Sequence, residues 1–130
     1  MAGTLVIDTL NASSGPLSTN NGMSGIAKAW VYFNGTTGAT VSTFNVSSVT
    51  RNSTGNYTVN FSTAMPNANY APVVACPMYG SANGAVFAQI YGSGTVGASG
   101  LKSTTQLSVA YVSYTNNFYD PAEYYVAIHA

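Results

Sequence analysis

Charge is what this sequence has least of. Three Lys or Arg and three Asp or Glu among 130 residues make it 5% charged and net neutral, where soluble domains carry roughly 25%. So few cations cannot neutralise a run of phosphates, which excludes nucleic-acid binding through a basic patch and attachment to anionic membrane surfaces. Cysteine is almost absent as well: the single Cys76 cannot close an intramolecular disulfide. No base or cation neighbours it in sequence to activate a thiolate, so it reads as a small buried hydrophobe. The one histidine, His129, leaves no His cluster to hold a metal within one chain, although three copies gathered on an axis would have that geometry; a strand-end histidine is expected instead. No apolar run reaches the length of a membrane-spanning helix, and the start MAGTLVIDTL lacks the pattern of a signal peptide. A sustained helical period is missing throughout.

Scarce acids also narrow the chemistry. Glycoside hydrolysis needs two carboxyl groups flanking one bond, and the chain owns only Asp8, Asp120 and Glu123. Asp120 precedes Pro121, a turn-starting pair. The run GSGTVG at 92–97 fits a dinucleotide-binding spacing, but the residues after it are mostly glycine, small polar and β-branched types. No helix opens there to hold a pyrophosphate, so a loop is expected. Serines are abundant, yet no nucleophile elbow accompanies them. The expectation is a protein that is not an enzyme and needs no cofactor. Asn-x-Ser/Thr triplets, at Asn45 and Asn60 among others, read as by-products of composition, because these two fall inside expected strands.

What is present is a 46% hydrophobic chain whose polar residues are Ser, Thr, Asn and Gly, of a length that buries one core. Low net charge and neutral hydrogen-bonding groups favour association, since such surfaces are desolvated cheaply. The central stretch, residues 26–61, holds three alternating segments. In the first, Ala27, Ala29, Val31 and Phe33 oppose Lys28, Trp30 and Tyr32, and Asn34-Gly35 offers a turn back. Phe44, Val46 and Val49 come next. The run RNSTG at 51–55 then leads as a hairpin loop into Tyr57, Val59 and Phe61. A three-stranded meander around Trp30 is the expected nucleus. Further strands are expected at 70–79, at an edge because Pro72 and Pro77 cannot donate ladder hydrogen bonds, and at 85–91. Two more are expected at 105–114, with Leu107, Val109 and Tyr111 inward and Ser108 and Ala110 outward, and at 124–128. Seven to eight short strands with Gly, Asn and Pro between them indicate an all-β antiparallel sandwich or jelly-roll over residues 26–130. Residues 1–25 form a preceding strand and arm, with Leu5, Val6 and Ile7 as the strand.

The words AKAWVYFNG, FNVSSVT and GNYTVNFSTAMPNANYAPV, in that order over residues 26–74, resemble a domain found at the C-terminal end of bacteriophage tail fibre and related tail proteins. The resemblance implies a homotrimeric, all-β tip domain in the virion tail that contacts a receptor, glycan or protein, on the host surface. A structural tail or capsid decoration subunit that binds no receptor is the alternative.

Ten tyrosines are the strongest sign of a binding surface, since a tyrosine offers a flat ring and a hydroxyl at small entropic cost. Tyr32, Tyr57 and Tyr111 are expected in the core or a subunit contact. The candidate receptor-binding residues are Tyr79, Tyr91, Tyr114, Asn116, Asn117 and Tyr119, in and beside loops at 80–84, 92–100 and 115–121, where rings and amides together suit sugars.

Overall fold

The computed structural model describes residues 3, 9–12, 15–18, 26–77, 86–90, 102–113 and 115–129. Strands, and no helix, form among them. Sheet I, ordered β4-β3-β10-β7, is built from β3 (Ala27–Phe33), β4 (Thr40–Phe44), β7 (Ala71–Ala75) and β10 (Tyr124–His129). Sheet II, ordered β5-β6-β9-β8, takes β5 (Val46–Ser53), β6 (Asn56–Phe61), β8 (Val86–Ile90) and β9 (Gln106–Ser113). Every pairing is antiparallel. A separate hairpin joins β1 (Thr9–Ala12) to β2 (Gly15–Ser18); Leu5, Val6 and Ile7 lie outside the described residues. The antiparallel sandwich expected from the alternation is the fold that forms.

Alternation is what builds the core. Ala29, Val31 and Phe33 of β3, Tyr57, Val59 and Phe61 of β6, Leu107, Val109 and Tyr111 of β9, and Tyr124, Val126 and Ile128 of β10 are all buried in one cluster. Each large side chain there contributes about 1.5–3 kcal/mol of apolar burial. At its centre three rings meet: Phe33 stacks on Tyr124 at 5.2 Å and meets Tyr57 edge-on at 5.1 Å. Tyrosine in a core requires a partner for each hydroxyl, and backbone carbonyls supply them. Tyr124 donates to the Ala110 carbonyl at 2.8 Å and Tyr111 to the Pro77 carbonyl at 3.2 Å. Tyr70 lies 2.9 Å from the Ser103 carbonyl and 3.1 Å from that of Gln106. Burial raises the Tyr70 hydroxyl to about 12 and moves Tyr57 and Tyr124 further still, so these protons stay on as donors.

The central stretch departs from the expected meander. The segment read as one strand is two, β4 and β5, which belong to different sheets, and the chain changes layer at Asn45 (φ 53°). Asparagine tolerates this left-handed conformation, and its side chain holds the corner. Nδ2 donates to the carbonyls of Lys28 and Thr63 at 3.1 and 3.2 Å, and Oδ1 accepts from the Thr63 N–H at 2.8 Å. Asn60, by contrast, does lie within a strand, its Nδ2 bonded to Ser48 and Thr50. Trp30 is no nucleus; it is 38% exposed on the outside of sheet I. In the turn after β3 the left-handed residue is Gly38 (φ 76°) rather than Asn34 or Gly35, with the Gly38 N–H on the Asn34 carbonyl at 2.7 Å. Ala110, expected outward, is fully buried on the inner strand β9, with Asn56 and Gln89 as its neighbours across the ladder. The edge position expected from Pro72 is where β7 lies.

The β5–β6 hairpin turns on Thr54 and Gly55, with Ser53 paired to Asn56. Gly55 has φ 64°, and a Cβ there would come within 2.6 Å of the carbonyl oxygens of Tyr111 and Tyr119. Both objections act on backbone that cannot yield, so Gly55→Ala should lose at least about 2 kcal/mol. Urea unfolding checks this, with Gly3→Ala, which meets open space, unchanged.

Candidate functional site

Two surfaces concentrate groups suited to recognition. The first is the segment 115–121, which leaves β9 and returns to β10. It folds back on the end of β9: the Ser113 N–H bonds the Asn117 carbonyl at 2.8 Å, the Asn116 N–H bonds the Ser113 carbonyl at 3.0 Å, and the Tyr119 N–H bonds the Tyr111 carbonyl at 3.1 Å. Asn116 takes a left-handed conformation (φ 62°). Asn116, Asn117 and Phe118 are exposed, while Tyr119 is half-buried and packs against the core. Amides and a ring thus face outward on a backbone already held in place.

Asp120 anchors this segment. Its carboxylate accepts from the Gly55 N–H at 2.8 Å and from both Arg51 Nε at 3.2 Å and Arg51 Nη2 at 2.5 Å. The Tyr57 hydroxyl lies 2.7 Å from Asp120 and 2.8 Å from the Gly35 carbonyl, two acceptors for one proton. Burial by itself would raise the Asp120 carboxyl, but the bonds from Arg51, Gly55 and Tyr57 outweigh it and hold the group below the usual carboxylate range. An acid so engaged is an anchor rather than a proton donor.

The second surface is the outside of sheet I. Across the strands, Tyr32 pairs with Ser42 and Tyr125, and Tyr125 with Ala75; in the next row Trp30 pairs with Phe44 and Ala127, and Ala127 with Val73. The Tyr32 and Tyr125 rings stack at 4.9 Å, and both hydroxyls donate to Glu123, on Oε1 at 3.1 Å and on Oε2. Those bonds to a carboxylate raise both phenols, Tyr125 to about 12. Because Ala75 and Ala127 are small, a depression of about 320 Å³ opens between Trp30, Tyr125 and Val73. Tyr32 therefore lies outside the core, unlike Tyr57 and Tyr111, which are buried in it.

Of the expected binding residues, Asn116, Asn117 and Tyr119 come together in the first surface. Tyr79, Tyr91 and Tyr114 lie outside the described residues, as do the loops at 80–84 and 92–100. The aromatic row on sheet I has no local signature. Alternation sets Trp30 and Tyr32 on one face, but their partner Tyr125 stands across a strand pairing that sequence does not display. Cys76 is half-buried against the core. Burial raises its thiol, against smaller opposing bonds from Tyr111 and the Ala88 backbone, which suits an unreactive group. His129 ends β10, and no group of three potential metal ligands gathers among the described residues.

No family model and no curated protein matches the chain. Among solved structures it is similar to the phiAB6 tailspike, determined in complex with three-repeated oligosaccharides of Acinetobacter baumannii surface polysaccharide. The TM-score is 0.48 and the identity 19%, over 78% of this chain and 20% of that one. The chain thus spans about a fifth of the tailspike chain's length.

The anchor has a pH signature. A carboxyl held below its unfolded value, about 3.9, adds stability that is present above that value and lost as pH falls through the folded one. The melting temperature should therefore fall on acidification below about pH 4. Asp120→Asn, which loses the charge, should begin about 2 kcal/mol lower at neutral pH and respond less to acid. Thermal melts of both proteins across that range measure the difference.

Proposed function

We propose that this chain is a non-enzymatic attachment domain of a bacteriophage tail fibre, carried in the virion tail as a homotrimer, which grips a glycan on the host surface. The observation that carries the reading is the segment 115–120: exposed Asn116, Asn117 and Phe118 on a backbone fixed by Ser113, Tyr111 and the Asp120 anchor. Rings that stack on a sugar face and amides that bond its hydroxyls are the chemistry of carbohydrate recognition. A loop held before binding loses little freedom on binding. The resemblance over residues 26–74 supplies the tail fibre context.

The two acids among the described residues support the non-enzymatic part. Asp120 is occupied by Arg51, Gly55 and Tyr57, and Glu123 by Tyr32 and Tyr125, so neither is poised to protonate a leaving group. Binding through neutral groups depends little on ionic strength, and a low affinity at one site is multiplied by copies on a trimer and by several fibres on a particle.

The purified domain should adsorb to susceptible cells and block infection, with adsorption nearly constant as salt is raised and with the cell's surface polysaccharide unshortened after incubation. Paired Asn116→Ala and Asn117→Ala should lower adsorption about tenfold or more, two lost hydrogen-bonding side chains at about 1 kcal/mol each. A domain that neither adsorbs nor competes is a structural subunit. Polysaccharide cleavage abolished by Asp120→Asn would make it an enzyme.

A further inference from the structure

The outer face of sheet I is built for contact, and it exposes rings without the amides that accompany Phe118 in the segment 115–121. Trp30, Phe44, Val73 and Tyr125 are 38%, 53%, 58% and 39% exposed, and Val41 on the adjoining edge strand is 61% exposed. Aromatic side chains present roughly 150–250 Å² each, so Trp30, Phe44 and Tyr125 alone leave about 250 Å² open. That is about a third of the roughly 800 Å² that each partner buries in a stable interface, before Val73, Tyr32, Ala75, Ala127 and the strand edge are added. The depression between Trp30, Tyr125 and Val73 is lined by apolar atoms. Sugar hydroxyls placed there would lose water without gaining partners, a cost that an apolar side chain does not meet.

The edge of the same sheet points the same way. Strand β4, sequence TVSTF, is exposed at all five positions and pairs only with β3. Natural sheets blunt such an edge with charge or proline. The opposite edge, β7, carries Pro72; of the two edges of sheet II, β5 carries Arg51 and β8 neither charge nor proline. Strand β4 has neither device, and its free edge is continuous with the apolar face through Phe44, the partner of Trp30.

We propose that the outer face of sheet I and the β4 edge are the surface on which sister copies of this chain pack, with an apolar side chain of one copy seated in the depression of the next. This rests on the proposed reading for the number of copies and not for the location of the contact. It leaves segment 115–121 as the outward, receptor-facing part.

Trp30 is the only tryptophan, so the unmodified protein reports on its own interface. In solution at micromolar concentration the domain should sediment with three times the 13.4 kDa chain mass. Its tryptophan emission should be blue-shifted and shielded from acrylamide, and dilution should reverse both changes together. Phe44→Glu and Val73→Glu should each give a monomer with strand circular dichroism retained and quenchable Trp30. A wild-type monomer overturns the proposal, whether its Trp30 is open or is already shielded by its own chain or by added host polysaccharide. A multimer that keeps its mass in both variants overturns it too, as does one whose Trp30 stays as quenchable as in the unfolded chain. Should either variant fail to fold, the other variant and the wild-type dilution series decide. Adsorption to cells is read separately: a trimer that does not adsorb refutes the attachment role alone, and an adsorbing monomer refutes the interface alone.

Discussion

The carboxylate of Asp120 is the constraint on which most of this domain depends. It gathers donors from positions far apart in the chain: the guanidinium of Arg51, the N–H of Gly55 and the hydroxyl of Tyr57. Through them it joins the β5–β6 hairpin of sheet II to the connection that enters β10 of sheet I. Tyr57 also fixes how the anchor meets the core, since its ring packs against Phe33 and Tyr124 while its hydroxyl reaches Asp120 and the Gly35 carbonyl. Arg51 and Asp120 keep partial access to water, so the ion pair alone adds little. The value of the arrangement lies in satisfying a backbone N–H and a core phenol with one acceptor.

Tyrosine does in this chain what leucine and lysine share elsewhere. Its ring fills the sandwich, and its hydroxyl bonds to carbonyls of the surrounding backbone, so Tyr57, Tyr70, Tyr111 and Tyr124 end buried without an orphan polar atom. Outside the core the same residue behaves differently: Tyr32 and Tyr125 present ring faces and spend their hydroxyls on Glu123. A chain with so few charges thereby acquires two exteriors of unlike chemistry. Sheet I is aromatic outside, whereas sheet II shows amides and hydroxyls such as Asn52, Asn56, Thr58, Asn60 and Ser48 bonded among themselves.

Period-two alternation made the core strands legible in the sequence. Tyr57, Val59 and Phe61, Leu107, Val109 and Tyr111, and Tyr124, Val126 and Ile128 are inward as their spacing requires, and Pro72 marks an edge strand because it lacks a donor. Events set by tertiary contact were not legible. Asn45 sits in a run of β-branched, aromatic and serine residues and turns it into a corner only because Lys28 and Thr63 offer it partners. Trp30 alternates with buried neighbours, so nothing local reveals that its face remains open. Of the site, the amides at 116 and 117 could be read from the company of rings and small polar residues. The three partners of Asp120, and the pairing that brings Tyr125 beside Tyr32, are long-range and have no local signature.

The crossing at Asn45 also separates what the two layers must remember. Strand β4, on one side of it, borders the aromatic face of sheet I, and β5, on the other, borders the amides and hydroxyls of sheet II. Two exteriors of unlike chemistry are thus divided by a single residue, and a substitution that straightened the chain there would disturb both at once.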